Sequence, residues 1–187
     1  MKRRDFVLMA LALASLTGCS KKAKSSVILH GSPVMAFGDS VTFGTGAGAG
    51  EDWPTLLGGL TGWKIINAGI PGDTAEVGRT RIQGLLDKHK PVLVIIEIGG
   101  NDFLRRRPPG AVKQDLKALI GTVRQSGAQV VLIGVPELSL LALVAGKPGD
   151  SPIYEELGKE EGMPVIGNVF SDVLSRPELC ADKIHPN

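Results

Sequence analysis

Apolar residues in this chain fall into short unbroken runs separated by longer amphipathic stretches. Beyond residue 32 the runs are Val34-Met35-Ala36-Phe37, Trp63-Lys64-Ile65-Ile66, Pro91 to Ile98, Gln129 to Val135 and Pro164-Val165-Ile166. Runs that are apolar at consecutive rather than alternate positions mark strands buried on both faces, as in parallel sheets. Between them the apolar positions recur at helical spacing. Asp52 predicts an N-cap, with Pro54 in the first turn and Leu56, Leu57 and Leu60 facing the core. Asp73 or Thr74 predicts a second cap, for a helix to about Lys88 that carries Val77, Ile82, Leu85 and Leu86. Val112, Leu116, Leu119, Ile120 and Val123 predict a third helix over 110–126, stopped by Gly127, and 154–161 a short charged one.

Strands alternating with helices imply one parallel sheet with right-handed crossovers, an α/β fold. The run ending in Glu97 is the clearest and reads as the central strand; Glu97, if buried, needs a hydrogen-bonded partner. Residues 136–150, rich in leucine and alanine, read equally as the lining of an acyl pocket or as a short helix over the core. Residues 167–187 read as irregular.

The length of 187 residues fits one domain. Its formal charge of +2 comes from the first residues, Lys2-Arg3-Arg4-Asp5, so the remainder is neutral and offers no basic face to nucleic acid. Residues 1–19 read as an export leader: a basic start, an apolar stretch from Phe6 to Leu16 too short to span a bilayer, then Leu16-Thr17-Gly18-Cys19, which resembles a bacterial lipobox. Cys19 is the expected lipidation site, residues 20–32 a polar tether, and the periplasmic side of a bacterial membrane the expected location. Arg3-Arg4 partly matches a twin-arginine export signal. Cys180 is then a lone thiol, expected to be a small buried hydrophobe rather than a nucleophile. Gly44 to Gly50 lacks the spacing of a nucleotide-binding loop and reads as a rim. Arg105-Arg106-Arg107 reads as a solvated loop, and His30 and His89 as surface residues.

Three predicted loops follow the first three strands and so converge on one sheet edge, where open α/β sheets place their chemistry. They carry Ser40, Gly69 and Asn101, and the last segment brings Asp182 and His185. A serine hydroxyl needs a base within hydrogen-bond reach. His185, in a polar turn fixed by Pro186, is that base, and Asp182 three residues earlier can hold its tautomer. The N–H groups of Ser40 and Gly69 and the side-chain amide of Asn101 are candidate donors to an oxyanion.

These residues carry a family resemblance. Gly38-Asp39-Ser40, Asn67-Ala68-Gly69, Gly99-Gly100-Asn101-Asp102 and Asp182-Lys183-Ile184-His185, in that order, resemble the four blocks of the SGNH/GDSL hydrolases. Asn67 to Thr74 and Glu97 to Asp102 look like the bacterial thioesterase, lysophospholipase and arylesterase subgroup. The resemblance covers 33–187 and implies a flavodoxin-like three-layer α/β/α sandwich with a five-stranded parallel sheet. It also implies a monomeric esterase or thioesterase that works without cofactor or metal, with Ser40 as nucleophile, His185 as base, Asp182 as its orienter, and Ser40, Gly69 and Asn101 around the oxyanion. A carbohydrate O-acetylesterase, a transacylase and a non-catalytic lipid- or glycan-binding lipoprotein are the alternatives. Family members continue past His-Pro-Asn into a C-terminal helix, which is missing where this chain stops at Asn187; the expectation is reduced stability and activity.

Overall fold

The computed structural model describes residues 26–137 and 149–187. The expected leader with Cys19, the first part of the expected tether and most of the leucine-rich stretch 136–150 lie outside the described residues. Five parallel strands form one sheet: β1 (Pro33–Gly38), β2 (Lys64–Gly69), β3 (Leu93–Glu97), β4 (Gln129–Ile133) and β5 (Val165–Ile166), in the order β2-β1-β3-β4-β5. All neighbours pair in parallel and β3 lies in the middle with every residue buried. The sheet is the expected doubly wound α/β one, and the order reverses between β1 and β3, which places a crevice beyond their carboxyl ends.

The helices are α1 (Ser40–Phe43), α2 (Trp53–Thr61), α3 (Ala75–His89), α4 (Gly100–Leu104), α5 (Pro109–Gln125), α6 (Pro152–Glu161) and α7 (Val169–Leu174), with a 3-10 turn over Pro177–Leu179. Helix α2 starts as predicted: the Asp52 carboxylate accepts the Thr55 N–H, and Pro54 needs no N–H in the first turn. Thr74 rather than Asp73 caps α3, its hydroxyl accepting from Val77 N–H. Segment 167–187 is less irregular than its sequence suggests, since α7 and the 3-10 turn occupy part of it.

The two faces of the sheet differ. Met35, Phe37, Val94, Ile96, Val130 and Leu132 point to one face and pack with α3, α5 and α6 into a continuous core, where all five apolar residues expected on α5 are fully buried. Val34, Leu93 and Ile95 point the other way and meet only partly buried partners, Trp53, Leu57, Val131 and Ile133 among them. Leu56 and Leu60, expected to face the core, are 52% and 86% exposed, because this face carries less cover. An apolar groove of about 470 Å³ crosses it, lined by Trp53, Leu57, Ile95 and Ile133 and reaching Pro186. Residues 26–32 run along the domain, with Trp63 Nε1 donating to Ile28 O and Gly31 N–H to Gly62 O. Among the described residues no helix is long and apolar enough to cross a membrane.

Candidate active site

The nucleophile candidate stands at the end of β1. Asp39 caps α1 by accepting the Val41 N–H, and Ser40 is the first residue of that helix. The structure brings Ser40, His185 and Asp182 together. Ser40 Oγ lies 3.0 Å from His185 Nε2, and His185 Nδ1 lies 2.7 Å from Asp182 Oδ2. The other Asp182 oxygen accepts the N–H groups of Ile184 and His185, both at 2.8 Å, so the carboxylate is held by the turn it belongs to. Partial burial alone would push the Asp182 carboxyl up; the hydrogen bonds from His185 and the two backbone groups outweigh it and hold the carboxyl below its ordinary value. The segment returns to the sheet edge through an antiparallel bridge between Cys180 and Pro186, and Gly46 of the glycine-rich rim packs against His185 and Pro186.

Of the expected oxyanion donors, Ser40 N–H has no partner among the described residues, and Asn101 enters from α4, its Nδ2 donating to Asp73 O at 3.0 Å and weakly to Asp39 Oδ2 at 3.3 Å. Gly69 does not fit the role expected of it. Its N–H donates to Asn67 Oδ1 at 3.0 Å, while Asn67 Nδ2 donates to Thr42 O. Gly69 is a glycine for a packing reason: a Cβ there would stand 2.2 Å from the backbone nitrogen of Phe43. Three residues on, Gly72 closes a turn in which Asp73 N–H donates to Ile70 O. Gly72 takes φ +84°, and its own N–H has no partner among the described residues. The Asn-Ala-Gly block made Gly69 conspicuous in the sequence, whereas the free N–H depends on turn geometry.

Beneath the site lie buried acids. Burial pushes Asp39 up to about 6, opposed by the Val41 N–H, the nearby His185 and Asn101 and reinforced by Asp102. Glu97 is raised well above its ordinary value by burial and by Asp39; Thr42 Oγ1 bonds its Oε2 at 2.7 Å, and its Oε1 is unpartnered among the described residues. The partner that the sequence demanded for Glu97 is therefore Thr42 of the nucleophile's own helix. Asp102 is wholly buried, accepts Ala75 N–H and pairs with Arg107. Arg107 also pairs with Asp115, which binds Arg79, so Arg107 is anchored, while Arg105 and Arg106 are exposed as expected of the loop. Arg81 binds Asp73 and two strand-end carbonyls. No local pattern in the sequence separates Arg81 or Arg107 from their exposed neighbours. Cys180 is half-buried rather than buried, its thiol donating to Val173 O and Arg176 O. Burial and the nearby Asp182 and Glu178 push that thiol up, opposite to what a nucleophile needs.

A parallel sheet with a serine, an imidazole and a carboxylate in hydrogen-bonded sequence at its carboxyl edge has the arrangement of an acyl hydrolase. Residues 36–187 match the GDSL-like Lipase/Acylhydrolase family, and the chain belongs to it. It is 33% identical over 159 residues to "Thioesterase 1/protease 1/lysophospholipase L1" of Escherichia coli (strain K12), an alignment spanning 82% of this chain and 75% of the relative. To an arylesterase of Vibrio mimicus it is 30% identical over 161 residues, 82% of this chain and 79% of the relative. Among solved structures, AlinE4, an SGNH-hydrolase family esterase, superposes with a TM-score of 0.70 at 28% identity, over 86% of this chain and 89% of its own. The protein is a carboxylic ester hydrolase of the SGNH type.

Proposed function

We propose that Ser40 is the nucleophile of this hydrolase, His185 its general base and Asp182 the group that orients the imidazole. The observation that carries the reading is the unbroken relay from Ser40 Oγ through His185 to Asp182, with steps of 3.0 and 2.7 Å. With Nδ1–H donated to Asp182, Nε2 is left to take the serine proton. Ser40 Oγ then bonds to the acyl carbon, and the carbonyl π electrons move onto its oxygen. When that intermediate collapses, the alcohol or thiol leaves with the proton from Nε2. Water, deprotonated by His185, releases the acid and restores the serine. The developing oxyanion is held by the Ser40 N–H, the Asn101 amide and, in place of Gly69, the Gly72 N–H. Each such donor contributes roughly 3–4 kcal/mol to barrier lowering.

The substrates are carboxylic esters or thioesters of small alcohols, phenols or lysophospholipids, in line with what the named relatives act on. The protein works from the periplasmic side, held by a lipid on Cys19, as a monomer. Palmitate incorporation lost in Cys19→Ala would support the anchor. Fluorophosphonate labelling followed by peptide mapping tests the centre. The probe is expected on Ser40, and Ser40→Ala is expected to lose both labelling and p-nitrophenyl ester turnover with its melting curve unchanged. A label on any other residue, or turnover retained in Ser40→Ala, overturns the assignment. Comparing acetylated sugar with longer acyl esters separates the carbohydrate reading from the acyl one.

A further inference from the structure

Arg81 lies on α3, eight residues after Asp73, and its side chain is only 17% exposed. Nε donates to Asp73 Oδ2 at 2.6 Å, Nη1 to Ala68 O at 2.8 Å and Nη2 to Gly38 O at 2.9 Å. The guanidinium also stands over the Phe37 ring, 4.1 Å from its centroid. Gly38 ends β1, one residue before Asp39-Ser40, and Ala68 lies next to the end of β2. Gly38 O also receives the Ile70 N–H, and Asp73 O receives Asn101 Nδ2. One planar cation therefore gathers the strand end that carries Ser40, the strand end that leads into the 70–73 turn, and the residue whose carbonyl holds Asn101. A guanidinium offers donors in a fixed fork, so three acceptors at set angles also fix their mutual distances; an ammonium on a flexible stem does not. Removing it would leave the buried Asp73 carboxylate without its ion pair, take a donor from Ala68 O and leave Gly38 O with the Ile70 N–H.

We propose that Arg81 is a positioning residue for ester hydrolysis. It touches no substrate and sets the spacing between the Ser40 N–H, the Gly72 N–H and the Asn101 amide, and so the fit of those donors to the tetrahedral intermediate. The inference rests on the reading of these groups as the oxyanion site. A displacement of about 1 Å at such donors is enough to lower turnover by up to ~100-fold.

The test separates positioning from simple bracing by counting working sites. The full chain is compared with Arg81→Met, Arg81→Lys and Ser40→Ala. Active serines are titrated to completion with a fluorophosphonate, and kcat and KM for a p-nitrophenyl ester are expressed per titrated site. Arg81→Met is expected to lose at least about tenfold in kcat per site, with KM within about twofold, and Arg81→Lys to recover part of the loss. A brace alone would reduce the titratable fraction and the melting temperature and leave kcat per site within about twofold of the parent, which overturns the proposal. If Arg81→Met does not fold, Arg81→Lys decides: about threefold or more lost in kcat per site supports the proposal, and an unchanged value overturns it. Failure of the parent chain to label at Ser40 would overturn the oxyanion reading and this inference together. Normal labelling with unaltered Arg81 variants would overturn this inference alone.

Discussion

The two halves of the site are held in different ways. Ser40 and Asn101 follow the buried strands β1 and β3, the 69–73 turn follows edge strand β2, and all three are cross-linked from beneath by Arg81, Asn67, Thr42 and Asp102. His185 and Asp182 belong to a return segment at the surface, where the Asp182 side chain is 55% exposed and that of His185 14%. That segment is tied down by the Ala181 N–H to His185 O and Asn187 N–H to Leu179 O bonds, and by Asn187 Nδ2 on Glu178 O. The proposed donors are thus placed by the fold as a whole, and the proposed base by one local turn. Local opening free energies span from near zero to the global stability, and few buried contacts put a segment toward the low end. The Ser40 half therefore keeps its geometry whenever the domain is folded, while the His185 half can lose alignment with the sheet intact.

The comparison is sharpened most by paired substitutions across it. Asn101→Ala is expected to lower kcat by about 10²–10³ with KM little changed, because a preorganised donor is removed from a shielded site. Asp182→Asn is expected to lose less, about 10–100-fold, since water at an exposed carboxylate position can take up part of its role. Steady-state kinetics on one ester checks both, and equal losses would break the contrast. A second pair tests how rigid the nucleophile half is. Gly69→Ala places a Cβ against the Phe43 backbone and must displace the helix that carries Ser40, so about 1–3 kcal/mol of stability should be lost, with turnover falling alongside. Gly59→Ala, on α2 with nothing within 4 Å of the added carbon, should instead stabilise by about 0.5–1 kcal/mol. Urea midpoints read both.

The smallest expected effect concerns Glu97. Its pKa in the folded state is raised by burial and by Asp39. The unfolded chain therefore releases this proton first as pH rises, and stability falls from the ordinary glutamate range up through the folded value. Asp39, pushed up to about 6, acts with the same sign between its ordinary value and 6. Glu97→Gln removes the first contribution and leaves the second. From the ordinary glutamate range upward its stability should decline less steeply than the parent's, by at most about 1.4 kcal/mol per pH unit. Parallel pH dependences for the two proteins from the ordinary glutamate range upward would mean that Glu97 releases no proton on unfolding.

The sheet was legible in the sequence because strands of a parallel sheet are apolar throughout, and β1, β3 and β4 announce themselves in that way. Ser40, Asn101 and His185 stood out as candidates because each is a polar residue at the end of such a run or in a turn fixed by proline, and the fold brings Ser40 and His185 within 3.0 Å. Leu56 and Leu60 misled, since helical spacing says which residues share a face and not how fully that face is covered. Gly69 misled because a glycine needed for close packing looks the same in sequence as one whose N–H is free. Arg81 could not be told from Arg79 two residues earlier, although Arg81 pairs beneath the site and Arg79 half-exposed at the edge of α5. Both are arginines on a charged helix, and only the fold decides which meets the strand ends.

The hydroxyl and the imidazole are separated by 145 residues of chain. A ribosome adding roughly 5–20 residues per second needs on the order of ten seconds to pass from one to the other. Throughout that interval the nascent polypeptide holds Ser40 without the imidazole that lies 3.0 Å from it in the folded domain. On the proposed assignment ester turnover begins only once His185 has been synthesised and docked, and on refolding its return should trail the return of backbone order.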